Sequence, residues 1–337
     1  KTALLGFDTG FGRVLEHIWS RESSTMWGAA DLLFCPQNRG FLRDFMPTST
    51  QQNTLRFEVN DAGIATLWLD GGERSVVVLD RILIQRLNTA LDSIEQRDDI
   101  KGLMLRSDCE RVFIAGADLA EIDALDDHAL HAYLAFGTTV FGRISALPFP
   151  TVACLNGATL GGGLEVAMHC DGLIAAKTTS RGKPYPIGLP EAGLGICPGW
   201  GGSQMLPARI DPTTAMKATA SGTPFMVSEL PEGLVDVFVE TTDDLEDAAQ
   251  EWLANQNPTR PYPKAITPSE CDKYFVALET ARDETELTEA ALGVFQAVDT
   301  GIREGWAAAV AIEQCELVRL RNTPSAREKL EAFLSKG

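Results

Sequence analysis

Two glutamates carry the chemistry this chain offers most plainly. Glu165 stands in LNGATLGGGLEVAMHCD and Glu191 in IGLPEAGLGICPGWGGSQ, each beside glycine-rich backbone and downstream of FIAGADL. Glycine lets the main chain approach a ligand closely, so its N–H groups can point at a developing oxyanion while a nearby carboxylate moves protons. Glu165 falls in the first turn of a predicted helix, where the macrodipole favours negative charge and free N–H groups leave the helix end. Gly161, Gly162 and Gly163 form the approach to that end. A thioester or other carbonyl oxygen placed there would be polarised by peptide N–H groups and dipole together. Glu191 follows Pro190 and precedes another glycine-rich loop, which predicts a carboxylate held on a rigid turn. Two carboxylates flanking one small volume can divide labour as base and acid when their surroundings separate their pKa values. Adding water across a double bond requires that pairing.

The other reactive side chains point elsewhere. His128 and His131 sit three apart on a predicted helix, but no Cys, Asp or Glu constellation completes a metal site around them, so they read as surface histidines. His169 reads as packed on its helix. The seven cysteines, at 35, 109, 154, 170, 197, 271 and 315, are widely spaced and form no CxxC pair, as expected of reduced thiols. A serine hydrolase is disfavoured because no GxSxG elbow is present. A nicotinamide enzyme is disfavoured because LGGGLE does not give the GxGxxG spacing. Taken alone, a GGG triplet marks only a tight loop or close helix packing, and Glu191 alone reads as a solvated turn residue. Asp118 has an equally simple reading as the N-cap of the helix LAEIDAL. Trp200, Trp252 and Trp306 read as core or interface aromatics.

The elements that must position these residues follow from hydrophobic periodicity. LRFEVNDAGIATLWLD alternates as a hairpin with its turn near Asn60 and Asp61, and VLDRILIQRLNTALDSIEQRDD carries apolar residues at helical spacing. GLMLRS, PTVACLNG and GLIAAK read as buried strands, with helices over HALHAYLAFGTTVFGRISAL and GLEVAMHCD. Strand, glycine-rich turn and helix alternate repeatedly, the pattern of an α/β fold with crossover connections. After Gln204 the pattern turns mostly helical, with TTAMKATASG, DDLEDAAQEWLANQ, one long stretch ELTEAALGVFQAVDTGIREGWAAAVAIEQCELVRLR, and SAREKLEAFLSK. NPTRPYPKAITP, rich in proline, reads as a linker.

The chain has 337 residues, with 29 Lys and Arg against 47 Asp and Glu, for a formal net charge of −18. That balance argues against sequence-independent nucleic-acid binding and against a polybasic membrane contact. No run reaches the ~18 apolar residues of a spanning helix, and the first residues lack the pattern of a secretory signal. A soluble protein of a reducing compartment is expected, cytoplasmic or in an organelle matrix.

FIAGADL, NGATLGGGLEVAMHCD and LPEAGLGICPGWGGSQMLP, in this order and at these separations, resemble the enoyl-CoA hydratase (crotonase) superfamily from about Leu55 to the C-terminus. GGGLE and IGLPE look closest to the hydratase part of multifunctional fatty-oxidation alpha subunits; in a longer parent the missing dehydrogenase half would be C-terminal. The resemblance implies a crotonase-like ββα spiral core at 54–210. It also implies a helical region at 211–337 that makes oligomer contacts and closes the acyl pocket. Residues 1–53 are an extension without an assigned role. It further implies oxyanion-hole N–H groups at Ala117 and Gly162, a water held by Glu165 and Glu191, and a backbone N–H near that water at Gly199. Ser75, Val76, Val78, Ala115, Asp118, Leu119, Leu160 and Pro190 become candidate contacts for an acyl-CoA. The implied reaction is syn addition of water to a trans-2-enoyl-CoA, giving a 3-hydroxyacyl-CoA, without metal or redox cofactor, in a homotrimer or dimer of trimers. An isomerase, hydrolase or decarboxylase acting on CoA thioesters, or a silent CoA-binding assembly subunit, would use the same scaffold. Trp200 departs from the small residue usual at its position, and SRGKPYP is longer than the usual connection.

Overall fold

The computed structural model describes residues 54–256 and 263–335. The extension at 1–53 and residues 257–262 of the proline-rich linker lie outside the described residues.

The hairpin forms where alternation predicts it. Strand β1 (Phe57–Val59) pairs antiparallel with β2 (Ile64–Leu69), and the Asn60 side chain accepts from the N–H groups of Ala62 and Ile64, both at 3.0 Å. This is an Asx-type closure of the turn. Asp80 then caps helix α1 (Arg81–Glu95) by accepting from the Leu83 N–H at 2.7 Å. The helix buries Leu83, Ile84, Leu87, Ala90, Leu91 and Ile94, one face of a 3.6-residue period.

From there the chain visits two sheets in turn. Strand β3 (Gly102–Ser107) lies in the first sheet and β4 (Val112–Ile114) in the second, followed by helices α2 (Leu119–Ala124) and α3 (Asp127–Ala146). Next, β5 (Thr151–Leu155) returns to the first sheet and β6 (Ala158–Leu160) to the second, followed by helix α4 (Gly162–Met168). A third step sends β7 (Gly172–Ala176) to the first sheet and β8 (Pro186–Gly188) to the second, leading into a 3-10 turn at Glu191–Leu194 and helices α5 (Gly202–Arg209) and α6 (Pro212–Ser221). Each step therefore deposits one strand in each sheet and then a helix. The result is an α/β spiral, and β4, β6 and β8 each end at or just before residues that line one cleft.

The central strands of the first sheet are buried on both faces, which explains why β5 and β7 read as continuous apolar runs. Ala153, Leu155, Leu173 and Ala175 point into the main core. Val152, Cys154, Ile174 and Ala176 point the other way, against Leu245, Ala249 and Leu253 of helix α7 (Leu245–Ala254).

Two features differ from the sequence expectation. Strands β9 (Phe225–Met226) and β10 (Val237–Val239) come from the region read as helical, pairing with β8 and β7 respectively, so both sheets take a strand from beyond residue 210. They are only two and three residues long, too short for a period-2 signal. The long C-terminal stretch is also not one helix. Gly305, with φ 88°, divides it into α9 (Glu289–Glu304) and α10 (Trp306–Leu320). The two pack antiparallel, with Gly293 facing Glu316 and Leu320 while Gly301 faces Ala309. Helix α8 (Cys271–Asp283) precedes this pair and α11 (Pro324–Leu334) follows it.

Candidate active site

The strand end after β4 presents a backbone donor. Leu79 forms a parallel bridge with Ala117: the Leu79 N–H donates to the Gly116 carbonyl at 2.9 Å, and the Asp118 N–H donates to the Leu79 carbonyl at 3.0 Å. In such a bridge the middle residue's own N–H points to the opposite side, so that of Ala117 faces away from Leu79. The Tyr133 hydroxyl also donates to the Leu79 carbonyl, at 2.6 Å, and fixes this segment from the core. A second donor comes from α4. Its N-cap, Gly161, accepts from both Leu164 and Glu165 N–H through its carbonyl. The earlier N–H groups of Gly162 and Gly163 are thus the ones the helix itself cannot use.

Glu165 is buried, 1% exposed. Its Oε1 accepts from the N–H groups of Trp200 and Gly202, each at 2.8 Å. Glu191, opening the 3-10 turn after Pro190, is partly exposed as a residue, yet its Oε2 is buried and has no hydrogen-bond partner among the described residues. Its Oε1 lies so close to Gly161 that a Cβ there would stand 2.6 Å away. Gly161 also holds φ 53°, so this position needs glycine for both backbone conformation and space.

A cavity of about 360 Å³ joins these groups. Ala115, Ala117, Leu119, Leu160, Gly162, Glu165, Pro190, Glu191 and Gly199, all singled out by sequence, line it. Ser75, Val76, Val78 and Asp118 do not. The Ser75–Val78 segment runs beside the cavity's strand, since the Ala115 N–H donates to the Val77 carbonyl at 2.8 Å. Asp118 caps α2, accepting from the N–H groups of Ala120 and Glu121, and pairs with Arg74 at 2.7 Å. The Gly199 carbonyl accepts from Gln314 at 3.4 Å, and the two N–H groups that reach Glu165 belong to Trp200 and Gly202.

Trp200 lines the cavity as a buried wall. Its indole N–H donates to the Leu134 carbonyl at 3.0 Å, and its ring meets Tyr133 and Phe141 edge-on. The ring fits because Gly137 and Gly162 both lack a Cβ that it would strike. The rest of the wall is apolar and comes partly from the helical region: Ile122, Leu134, Leu317 and Phe333. Arg321 secures that roof, donating to the carbonyls of Ile122 and Leu125 and pairing with Asp127 at 2.7 Å. None of these wall residues has a motif that sequence reading could use.

A third carboxylate has no motif in the sequence to mark it. Glu313 of α10 is 0% exposed and accepts from the Gly201 N–H at 2.6 Å and the Ser203 N–H at 2.9 Å. Burial pushes all three carboxyls up. For Glu165, desolvation is followed by the repulsion of Glu313 and Glu191, which outweighs the two N–H bonds. Desolvation lifts Glu191 to about 8 and Glu313 to about 7. Such an arrangement can hold protons near neutrality and release them to a carbon or oxygen in the cavity.

The sequence pattern of the enoyl-CoA hydratase/isomerase family matches residues 61–291. Among solved structures, an enoyl-CoA hydratase from Bacillus anthracis is 26% identical, with 85% of this chain and 97% of that one aligned and a TM-score of 0.54. The human mitochondrial delta3-delta2-enoyl-CoA isomerase, at 22% identity, aligns over 84% of this chain and 97% of its own with a TM-score of 0.60. An enoyl-CoA hydratase from Bacillus halodurans, also 22% identical, aligns over 82% and 99% with a TM-score of 0.59. The last two share the fold alone. With the family pattern covering more than half its length, and with that pattern's strands and loops surrounding the buried carboxylates, this chain belongs to the enoyl-CoA hydratase/isomerase family.

Proposed function

We propose that this protein is an enoyl-CoA hydratase, adding water syn across the double bond of a trans-2-enoyl-CoA. The observation that carries the reading is that two buried carboxyls, Glu165 and Glu191, line one apolar cavity with Ala117 and Gly162. In the proposed reaction the thioester oxygen accepts from the N–H groups of Ala117 and Gly162. The water oxygen bonds to C3, one carboxylate takes its proton, and the electron pair of the double bond moves toward the thioester as an enolate. The other carboxyl then supplies a proton to C2, leaving a 3-hydroxyacyl-CoA. Glu191 Oε2 suits the water, because a buried carboxyl oxygen without a donor costs about 1–3 kcal/mol and gains that back by bonding one. The acyl chain occupies the wall of Leu119, Leu134, Leu160 and Leu317, and the CoA moiety runs along Ser75–Val78.

Following the loss of enoyl absorbance of crotonyl-CoA tests this. Glu165→Gln and Glu191→Gln are each expected to lower kcat by about 10²–10⁴-fold without loss of fold. Turnover near that of the unaltered protein in either variant would falsify the assignment. Conversion of a 3-enoyl-CoA to its 2-enoyl isomer without hydration would instead place the protein with the family's isomerases.

A further inference from the structure

Four consecutive backbone N–H groups, at residues 200 to 203, alternate between two buried carboxylates. Those of Trp200 and Gly202 donate to Glu165 at 2.8 Å, and those of Gly201 and Ser203 donate to Glu313 at 2.6 and 2.9 Å. These four residues, the 200–203 loop, lead through the left-handed N-cap Gly201 (φ 98°) into the first turn of α5, so both carboxylates are held by one short backbone segment. Glu165 lines the cavity; Glu313 is not among the residues lining it. Trp306, at the start of α10, lies against Gly201, where a Cβ would meet its ring at 2.0 Å, so α10 is seated directly on the loop.

We infer that Glu313 is a positioning residue for Glu165, holding the 200–203 loop from behind and governing, through its own charge, when Glu165 carries a proton. The inference rests on the proposed role of Glu165 in proton transfer. The loop is too short for either carboxylate to be exchanged for an apolar group without orphaning two buried N–H donors. Two acidic groups on one scaffold, both out of water, cannot ionise independently, so their protons leave in coupled steps. The other ionisable groups acting on the pair are Glu191, across the cavity, and Cys197, whose thiol donates to the Glu313 carbonyl at 3.4 Å. Glu316, one turn along α10, acts on Cys197 as well. His169, at the end of α4, meets Trp306 edge-on at 6.0 Å and bonds Ser145.

The test combines a pH profile with infrared titration of the buried carboxyls, the Glu165 band being identified by its loss in Glu165→Gln. In Glu313→Gln a neutral side chain replaces the neighbouring carboxylate. The Glu165 band, and the limb of kcat/KM that follows it, are expected to move to lower pH by about one unit. Under the same substitution kcat falls while KM for crotonyl-CoA holds. Glu313→Asp, which restores the charge, is expected to move the midpoint back. A Glu165 midpoint that stays in place in Glu313→Gln, with activity reduced equally at every pH, overturns the inference and leaves a purely structural tie. If Glu313→Gln does not fold, the reciprocal reading serves: in Glu165→Gln the Glu313 band must titrate at lower pH than in the unaltered protein, and an unmoved band overturns the inference. The infrared measurement needs no turnover. Coupled bands in a protein that does not hydrate enoyl-CoA would therefore support Glu313's control of Glu165 while removing the hydratase reading.

Discussion

Glu165, Glu191 and Glu313 hold their carboxyls largely withdrawn from bulk water, and this links the proposed chemistry to stability. All three are raised in the folded protein, Glu313 to about 7 and Glu191 to about 8, mainly by desolvation. A carboxyl raised above its unfolded value contributes stability that is fully present below that value and is lost as pH rises through the folded one. The unfolding free energy from urea titrations is therefore expected to fall between about pH 5 and about pH 8, by up to about 1.4 kcal/mol per pH unit for each group, and the midpoint with it. Glu313→Gln should flatten that decline, and a midpoint that rises with pH would contradict the burial of neutral carboxyls. Gly161 gives a second prediction at this scale. Alanine there would have to adopt φ 53° and place its Cβ 2.6 Å from Glu191 Oε1. Gly161→Ala should cost about 1–3 kcal/mol in thermal unfolding and should also lower kcat, because the carboxyl must move. Unchanged turnover would show that Glu191 is free to relocate.

At the scale of elements, the turn at Gly305 decides whether the site is complete. A single helix over 289–320 would extend about 48 Å at 1.5 Å per residue and carry Glu313 away from the 200–203 loop. The reversal at φ 88° folds α10 back along α9 and brings Glu313 to Gly201 and Ser203. Gly305→Ala must hold φ 88° with ψ −173°, a region essentially confined to glycine, at a cost of about 1–3 kcal/mol. The expected result is a lower unfolding midpoint together with a changed pH profile, since Glu313 moves with its helix. A lowered midpoint with an unaltered profile would show that α10 keeps its seat on the loop. The interior pairing of Arg209 with Asp236 at 2.8 Å plays a comparable part for β10. The same Asp236 oxygen accepts from the Leu173 N–H at 2.8 Å, which ties α5 to the edge of the first sheet.

Across the whole molecule, the cavity is shared between the spiral and the C-terminal helices. Phe333 of α11 reaches its wall while remaining 54% exposed, so α11 contributes to the cavity's rim, where the proposed function would put the acyl chain. Phe333→Ala is expected to raise KM more for long-chain than for short-chain enoyl-CoA thioesters, measured over a homologous series. An equal effect on every chain length would place the acyl group elsewhere. Among the described residues no helix is long and apolar enough to cross a membrane. The resemblance to crotonases leads us to propose a trimer, for which sedimentation should return three times the 36.5 kDa chain mass.

The sequence alone determined the parts whose signal is local. Glycines beside Glu165, proline before Glu191, the hairpin at Asn60 and the apolar runs of β5 and β7 each arise from neighbouring residues, so an α/β fold with crossover connections and its two candidate glutamates are legible in the order of amino acids by itself, while the spiral followed from the family resemblance. The assignment of Ala117 and Gly162 rested on the three motifs together. What only tertiary structure decided was long-range. Glu313 sits in an apolar helical stretch, AAAVAIEQCELV, where nothing nearby announces a buried carboxylate. Its place exists because a left-handed glycine reverses the chain and sets it behind a loop more than a hundred residues earlier. That Ser75, Val76, Val78 and Asp118 stand outside the cavity's lining, with Val77 bonded to Ala115 along its edge, is likewise a matter of tertiary placement. β9 and β10 likewise owe their strand form to edges supplied by β8 and β7, because two or three residues cannot express a period of their own.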